Sequence, residues 1–122
     1  MLYYLEDFDI GDDGTLLPSI LDQFKNSTIV VMIRAEWCGH CKTATPEFIK
    51  ASNQMNGDSS VVFCIADITG DRPSQKNISN KTKLLDSSFR GFPHVCKFKN
   101  GKLGKEFNGP RQSQSFIEYG KN

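Results

Sequence analysis

Two cysteines separated by two residues are the side chains of this 122-residue chain that are best suited to chemistry. They belong to the segment Trp37-Cys38-Gly39-His40-Cys41-Lys42. If a helix begins here, Cys41 lies one turn after Cys38, close enough for a disulfide between them to form and reopen. The spacing therefore predicts a redox switch.

The residues on either side of this segment predict how the cysteines are held. The apolar run 28–33 indicates a buried strand, and residues 43–51 have the pattern of a helix. Cys38 then lies at the turn from strand to helix, where unpaired amides and the helix dipole favour an anion. A thiolate is the anion available there, so the sequence favours the ionised form of Cys38.

Charge and hydropathy exclude several classes of function. The chain has 15 basic and 14 acidic residues, a net charge of +1, and no basic stripe that would indicate a nucleic-acid partner. Its apolar runs are too short for a membrane span, and neither a signal peptide nor a retrieval signal is visible. We therefore expect a cytoplasmic or virion-associated protein, or one of the endoplasmic reticulum lumen if a signal was removed.

Turn-forming residues divide the chain into the alternating strands and helices of one α/β domain that covers residues 1–122. The predicted strands are 2–5, 29–34, 61–67, 95–98 and 103–107. The predicted helices are 17–24, the segment after Cys41 with a kink at Pro46, 79–89 and 113–119. In the third helix Leu84, Leu85 and Phe89 are expected to face inward, and 69–77 is expected to be an exposed loop.

Five motifs in this order resemble the thioredoxin fold, and within it the catalytic domain of protein disulfide isomerase. They are Trp37–Lys42, Pro46-Glu47, Arg90–Pro93, Phe98–Gly101 and Phe107–Arg111. His40 is the isomerase form of the first motif, because ordinary thioredoxins usually have proline there. The resemblance implies a central mixed sheet of about five strands flanked by about four helices, with a cis-proline loop at Pro93.

The same resemblance assigns roles to the motif that contains the two cysteines. Cys38 is the exposed nucleophile and Cys41 the resolving thiol, and Gly39 and His40 between them complete the catalytic motif. His40 can donate a hydrogen bond or carry charge beside the Cys38 thiolate, which makes the disulfide more oxidising. No metal and no cofactor are implied apart from the redox-active disulfide Cys38–Cys41.

Substrate binding is implied for Trp37, Phe92 and Pro93. A cis bond before Pro93 turns the backbone of Phe92 toward the dithiol, where it can pair with an extended peptide. Arg111 is expected to swing toward Cys41 and favour its thiolate, although it is also explained as a solvated surface charge. We expect a monomer that acts on protein substrates with thiols or disulfides and is served by an unidentified redox partner.

Three residues depart from the family pattern. Met32 stands where a buried carboxylate normally lies beneath the dithiol, and Ile65 stands where many members have the partner lysine. The loss of both charges is self-consistent, because one unpaired buried charge would cost several kcal/mol. It also weakens proton transfer from Cys41. Arg34 replaces an aromatic residue without an evident reason, and the chain between Asp67 and Arg90 is longer than usual.

Four interpretations remain open for the dithiol. It exchanges disulfides with proteins as an isomerase does, it is a thioredoxin-like reductase, or it belongs to a non-catalytic scaffold or chaperone. The fourth is a zinc site built from Cys38, Cys41, Cys64 and Cys96. Cys64 and Cys96 lie in apolar, strand-like runs, so buried core packing is the simpler expectation for both.

Overall fold

The order of the strands confirms a mixed sheet. The computed structural model describes residues 2–75 and 77–122, and its five-stranded sheet has the order β1-β3-β2-β4-β5. The strands are β1 Leu2–Tyr4, β2 Thr28–Arg34, β3 Val61–Asp67, β4 His94–Lys99 and β5 Lys102–Leu103. The helices are α1 Pro18–Leu21, α2 Gly39–Gln54, α3 Ile78–Thr82 and α4 Ser113–Lys121. Two short 3-10 turns lie at Asp7–Asp9 and Pro73–Gln75.

The central strands have continuous apolar sequences because helices cover both sides of the sheet. Strands β1, β3 and β2 are parallel, whereas β4 and β5 are antiparallel to their neighbours. Alternate residues of β2 enter two separate cores, with Val31 on one face and Met32 on the other. The second core includes Phe48 of α2 and Phe116 of α4, so α2 and α4 cover the Met32 face.

Helix α4 lies unusually close to the sheet. A Cβ atom added at Gly120 would stand 2.6 Å from Val61 Cγ1 and 3.2 Å from Val30 Cγ2. The start of the helix is tied to α2 as well, since the Ser113 amide donates to Glu47 Oε1 over 3.0 Å. Glycine is therefore required at residue 120 by the close approach of the helix.

Helix α2 begins earlier than the sequence pattern indicated. It starts at Gly39, directly after Cys38, continues to Gln54 and contains Pro46, as predicted, in its interior. Cys38 is thus the N-cap residue of the longest described helix. Of the helices that the structure describes, none has the length and hydropathy that crossing a bilayer requires.

The predicted third helix is wrong beyond Thr82. The chain leaves α3 through turns in which the Leu84 amide donates to Lys81 O and the Leu85 amide to Thr82 O. These i→i+3 bonds leave Leu84 55% exposed rather than inward, while Leu85 is buried as expected.

The turns continue into a segment that is organised around Asp86. Its carboxylate accepts hydrogen bonds from the Ser88 amide and hydroxyl, which favours a turn over further helix. Phe89, which the predicted helix placed inward, is only partly buried against the first core.

The end of the sheet is also shorter than predicted. Strand β5 stops at Leu103, after which the Gly104 amide donates to Lys97 O, and the ring of Phe107 packs against Phe116. The turn before it was predicted and contains left-handed backbone at Asn100 and Gly101. Half of the described residues of the loop 69–77 are exposed, Thr69, Gly70 and Ser74 are partly buried, Gln75 is buried, and Lys76 lies outside the described residues.

Candidate active site

The turn between β2 and α2 holds the Cys38 sulfur at the helix N-terminus. The Cys41 amide donates to Cys38 Sγ over 3.2 Å, and the Cys38 amide donates to Ala35 O over 3.2 Å. Ala35, Cys38 and Cys41 form one buried cluster against Ile68 and Phe92. Cys38 is only 7% exposed, so the expectation of an exposed nucleophile is wrong. Ile68 and Phe92 pack against the cluster that contains it.

Cys41 is completely buried and strongly favours the protonated thiol. Burial first, and then its hydrogen bond with Cys38, raise the pKa of Cys41 to about 11. A hydrogen bond with the Ala35 backbone and the charge of Arg34 act in the opposite direction. Very little thiolate is therefore present at Cys41 at neutral pH, which makes proton loss from this residue a demanding step.

The remaining residues of the motif face solvent. Gly39 is the first residue of α2, and a Cβ atom there would have no neighbour within 4 Å. His40 is exposed, and its side chain makes no hydrogen bond to the described residues. Trp37 is 67% exposed and meets the ring of Phe92 edge-on at 5.3 Å. Trp37 and His40 are thus accessible to a partner molecule, next to the dithiol.

The loop at Pro93 lies against the dithiol. The Phe92–Pro93 peptide bond is cis, as the resemblance implied, and Phe92 packs against the cluster that contains both cysteines. A groove of about 470 Å³ runs beside this loop and is lined by Arg90, Phe92 and Pro93 on one side. Glu106, Phe107 and Arg111 line it as well. The structure therefore brings Phe92, Pro93 and Arg111 together at one groove.

Arg111 is exposed and forms no ion pair with a described residue. It lies at the groove rather than in the buried cluster of Ala35, Cys38 and Cys41. Its expected movement toward Cys41 stays a prediction.

The site contains a buried pair that the sequence did not indicate. His94 Nε2 lies 2.8 Å from Asp86 Oδ2, and both side chains are at most 10% exposed. Burial alone would raise the pKa of Asp86, but hydrogen bonds from Ser88 and His94 hold it below its usual value. Because His94 directly follows Pro93, the pair connects the loop at the groove to the segment after α3. No pattern in the sequence joins residues 86 and 94.

Metal-ligand side chains converge at one place in the described chain. Asp86, His94 and Cys96 have ligand atoms within 4.8 Å of one another. The carboxylate of this group is bonded to His94 and to Ser88, so its polar atoms are already satisfied. Nothing in the geometry calls for an ion.

The zinc site made of four cysteines is wrong. Cys64 and Cys96 both align with Val31, on strands that flank β2 from opposite sides. Two strand spacings separate them by about 10 Å, too far for shared zinc coordination or a disulfide. They are buried in the first core, as expected, and burial raises the pKa of both thiols.

The three departures form one pattern in the structure. Met32 and Ile65 are aligned neighbours in β2 and β3, and both are completely buried. Two residues further along the same strands, Arg34 aligns with Asp67, and their side chains form an ion pair of 2.7 Å. Arg34 and Asp67 each end an apolar strand of the same length, and this shared feature of the sequence could have predicted their ion pair.

Comparisons with known proteins agree with this geometry. The thioredoxin family profile matches residues 18–122, and the chain belongs to the thioredoxin family. The thioredoxin-like protein 453L of Invertebrate iridescent virus 6 is 30% identical over 128 residues, with 97% of this chain and 91% of the viral protein covered.

Protein disulfide isomerases are similar over part of their length. Protein disulfide isomerase-like 1-1 of Arabidopsis thaliana is 33% identical over 96 residues, which are 78% of this chain and 18% of that protein. The chain thus corresponds to less than a fifth of such a relative.

Solved structures share the fold. The zinc-bound form of human ERp44 superposes with a TM-score of 0.68 at 19% identity, covering 99% of this chain and 30% of that one. Thioredoxin of Fasciola hepatica superposes with a TM-score of 0.59 at 18% identity, and the match covers 84% of this chain and 86% of that thioredoxin. These similarities establish a thioredoxin fold.

Proposed function

We propose that the protein is a thiol-disulfide oxidoreductase that exchanges disulfides with protein substrates through Cys38 and Cys41. One observation carries the proposal: Cys38 Sγ caps α2 and accepts the Cys41 amide, with the second thiol buried beside it. Amides and the helix dipole at this position stabilise a thiolate, the form that attacks a disulfide.

The reaction consists of two thiol exchanges. The Cys38 thiolate attacks one sulfur of a substrate disulfide, forms a mixed disulfide and releases the other substrate sulfur as a thiolate, which takes a proton from water. Cys41 then loses a proton to solvent and attacks Cys38 Sγ. The Cys38–Cys41 disulfide forms and the second substrate thiolate leaves. Two electrons pass from the dithiol to the substrate, and the reverse sequence oxidises a substrate dithiol.

The groove beside Pro93 is the proposed binding surface for the substrate. Trp37 and Phe92 offer aromatic surface next to the dithiol, and the groove beyond them is lined by polar and charged groups. A shallow, mixed surface of this kind suits unfolded or partly folded chains of many sequences. A protein redox partner of the same thiol chemistry would restore the dithiol or the disulfide.

His40 favours oxidation and isomerisation over reduction. An imidazole beside the Cys38 thiolate stabilises the reduced form and therefore makes the disulfide a stronger oxidant. The step between thioredoxin and disulfide isomerase is about 90 mV, roughly 4 kcal/mol for two electrons. Equilibration with glutathione buffers distinguishes this function from the thioredoxin-like reductase, whose potential would lie near that of thioredoxin.

The test of the proposed function is mechanism-based trapping. In Cys41→Ser protein the first exchange proceeds and the second cannot, so substrates should accumulate as mixed disulfides at Cys38. Cys38→Ser is the matched control and should trap nothing. A Cys41→Ser protein that forms no mixed disulfides with reduced and reoxidising substrate proteins would instead support the non-catalytic scaffold.

A further inference from the structure

Arg34 occupies an unusual place for a charged side chain. It is the last residue of β2, and by strand alternation it lies on the same face of the sheet as Val30 and Met32, the face that α2 covers. Its side chain is only 17% exposed. A guanidinium at this depth needs partners, because an arginine in a protein is always charged.

The partners of Arg34 are incomplete. Nη1 donates to Asp67 Oδ2 over 2.7 Å, and the other oxygen of Asp67 is bonded to Thr69. Nε of Arg34 is buried and has no hydrogen-bond partner among the described residues. The ion pair thus holds one edge of the guanidinium and leaves part of its donor capacity unused.

The residue that follows Arg34 belongs to the buried cluster that contains both cysteines. That residue is Ala35, which packs with Cys38 and Cys41 and whose carbonyl accepts the Cys38 amide over 3.2 Å. The carbonyl of Arg34 itself accepts the amide of Ile68, which packs against this cluster.

A second buried polar atom without a partner lies in α2. Thr45 Oγ1 is the other buried side-chain atom of the described chain that lacks a partner. It lies one turn after Cys41 in α2 and therefore on the same side of that helix.

We infer that Arg34, oriented by Asp67, is an electrostatic positioning residue that stabilises the Cys41 thiolate when it attacks the mixed disulfide. The inference rests on the proposed function, because it concerns the second exchange of that reaction. The proton of Cys41 goes to solvent, and the negative charge that remains is balanced in part by the guanidinium. Met32 and Ile65 offer no titratable group that could accept this proton, so the guanidinium favours the thiolate only by its charge.

The charged groups around Cys41 allow this assignment. Cys38 of its own turn raises the pKa of the thiol, and Arg34 of β2 lowers it. Asp67 of β3 offsets part of the positive charge of Arg34, because the two side chains form an ion pair. Substitution of Arg34 can therefore remove a positive charge near Cys41, and substitution of Asp67 can remove a negative charge at the same place.

The test measures the attack of Cys41 directly. Each protein is loaded at Cys38 with thionitrobenzoate at acidic pH, and release of the coloured thiol is followed after a jump to a series of higher pH values. The variants are Arg34→Gln, which removes the positive charge, and Asp67→Asn, which removes its counter-charge. Arg34→Lys keeps the charge and serves as the matched control, and urea unfolding reports the stability of each.

The expected shifts have opposite signs. A change of one unit in the pKa of Cys41 alters its thiolate population tenfold below the pKa, and nucleophilicity offsets about half of this on a logarithmic scale. A neighbouring opposite charge lowers such a pKa, so Arg34→Gln should slow release, by about threefold for each unit by which the guanidinium lowers the pKa of Cys41. Asp67→Asn should speed it, and Arg34→Lys should stay near the original rate.

The opposite signs separate this inference from a structural role. Both charge-removing variants break the same ion pair, so a purely structural ion pair would move their rates in the same direction, together with their stability. Equal rates, or slowing in both variants, would overturn the inference. If the signs are opposite while Cys41→Ser traps no substrate, the role of Arg34 stands and the proposed function fails.

Discussion

A glutamate at residue 32 should accelerate the attack by Cys41 and weaken the fold. Met32 is completely buried on the α2 face of the sheet, in the core that also contains Ala44 and Phe48 of α2. A carboxylate there would lie beneath the start of α2 and could accept the proton of the resolving thiol. The substitution therefore removes apolar packing from the core and introduces a local base.

Both effects can be estimated. Loss of the buried methionine costs about 1.5–3 kcal/mol, and burial of an unpaired carboxyl adds about 1–3 kcal/mol. A positioned general base contributes roughly 10²–10⁴ in rate, so the release of thionitrobenzoate at neutral pH should rise by at least about 100-fold. Ile65 is the aligned neighbour of Met32 in β3, so a lysine there can pair with the new carboxylate.

The assay is the pH-jump release of thionitrobenzoate from Cys38, together with urea unfolding. Met32→Gln is the matched control, because it has the same shape and no base. Met32→Glu combined with Ile65→Lys should recover part of the lost stability. If folded Met32→Glu and Met32→Gln proteins release the thiol at equal rates at every pH, no proton passes through residue 32.

Four further outcomes are expected. Because burial raises the pKa of Cys41, the release rate should climb about tenfold per pH unit from neutral pH upward; a plateau near neutral pH would contradict it. His40→Pro should make the dithiol more reducing in glutathione buffers, and an unchanged potential would count against the role of the imidazole. Arg111→Ala should slow the same release if the arginine reaches Cys41, and equal rates would leave it a surface charge. Gly120→Ala should lower the free energy of unfolding by about 1–3 kcal/mol, since the added methyl meets Val61, whereas Gly39→Ala, which meets nothing, should leave it unchanged.

The sequence predicted the elements whose patterns are local. Strands β2 and β3 agree with their apolar runs to within one residue, because both faces of each strand are buried and the runs end at charged residues. The predicted length of helix α3 was wrong, and the reason is also physical. Leu84, Leu85 and Phe89 have helical spacing, but the turn organised by Asp86 competes with the helix after Thr82.

The sequence predicted the motifs of the candidate site but not its long-range contacts. The N-cap position of Cys38 follows from a strand, a turn and a helix in succession. Its burial does not, because Ile68 and Phe92 come from other parts of the chain. The pairs formed by Arg34 with Asp67 and by Asp86 with His94 join distant segments, and only the fold brings them together.

The two core cysteines give the protein a built-in reporter of its own unfolding. Once Cys38 and Cys41 are joined in a disulfide, Cys64 and Cys96 are the remaining thiols of the chain, and both are completely buried. A thiol reagent can reach them only when strands β3 and β4 separate from the helices that cover them. The labelling rate of the oxidised protein therefore measures how often the core opens, and a comparison of the two residues shows whether both sides of β2 open in one event.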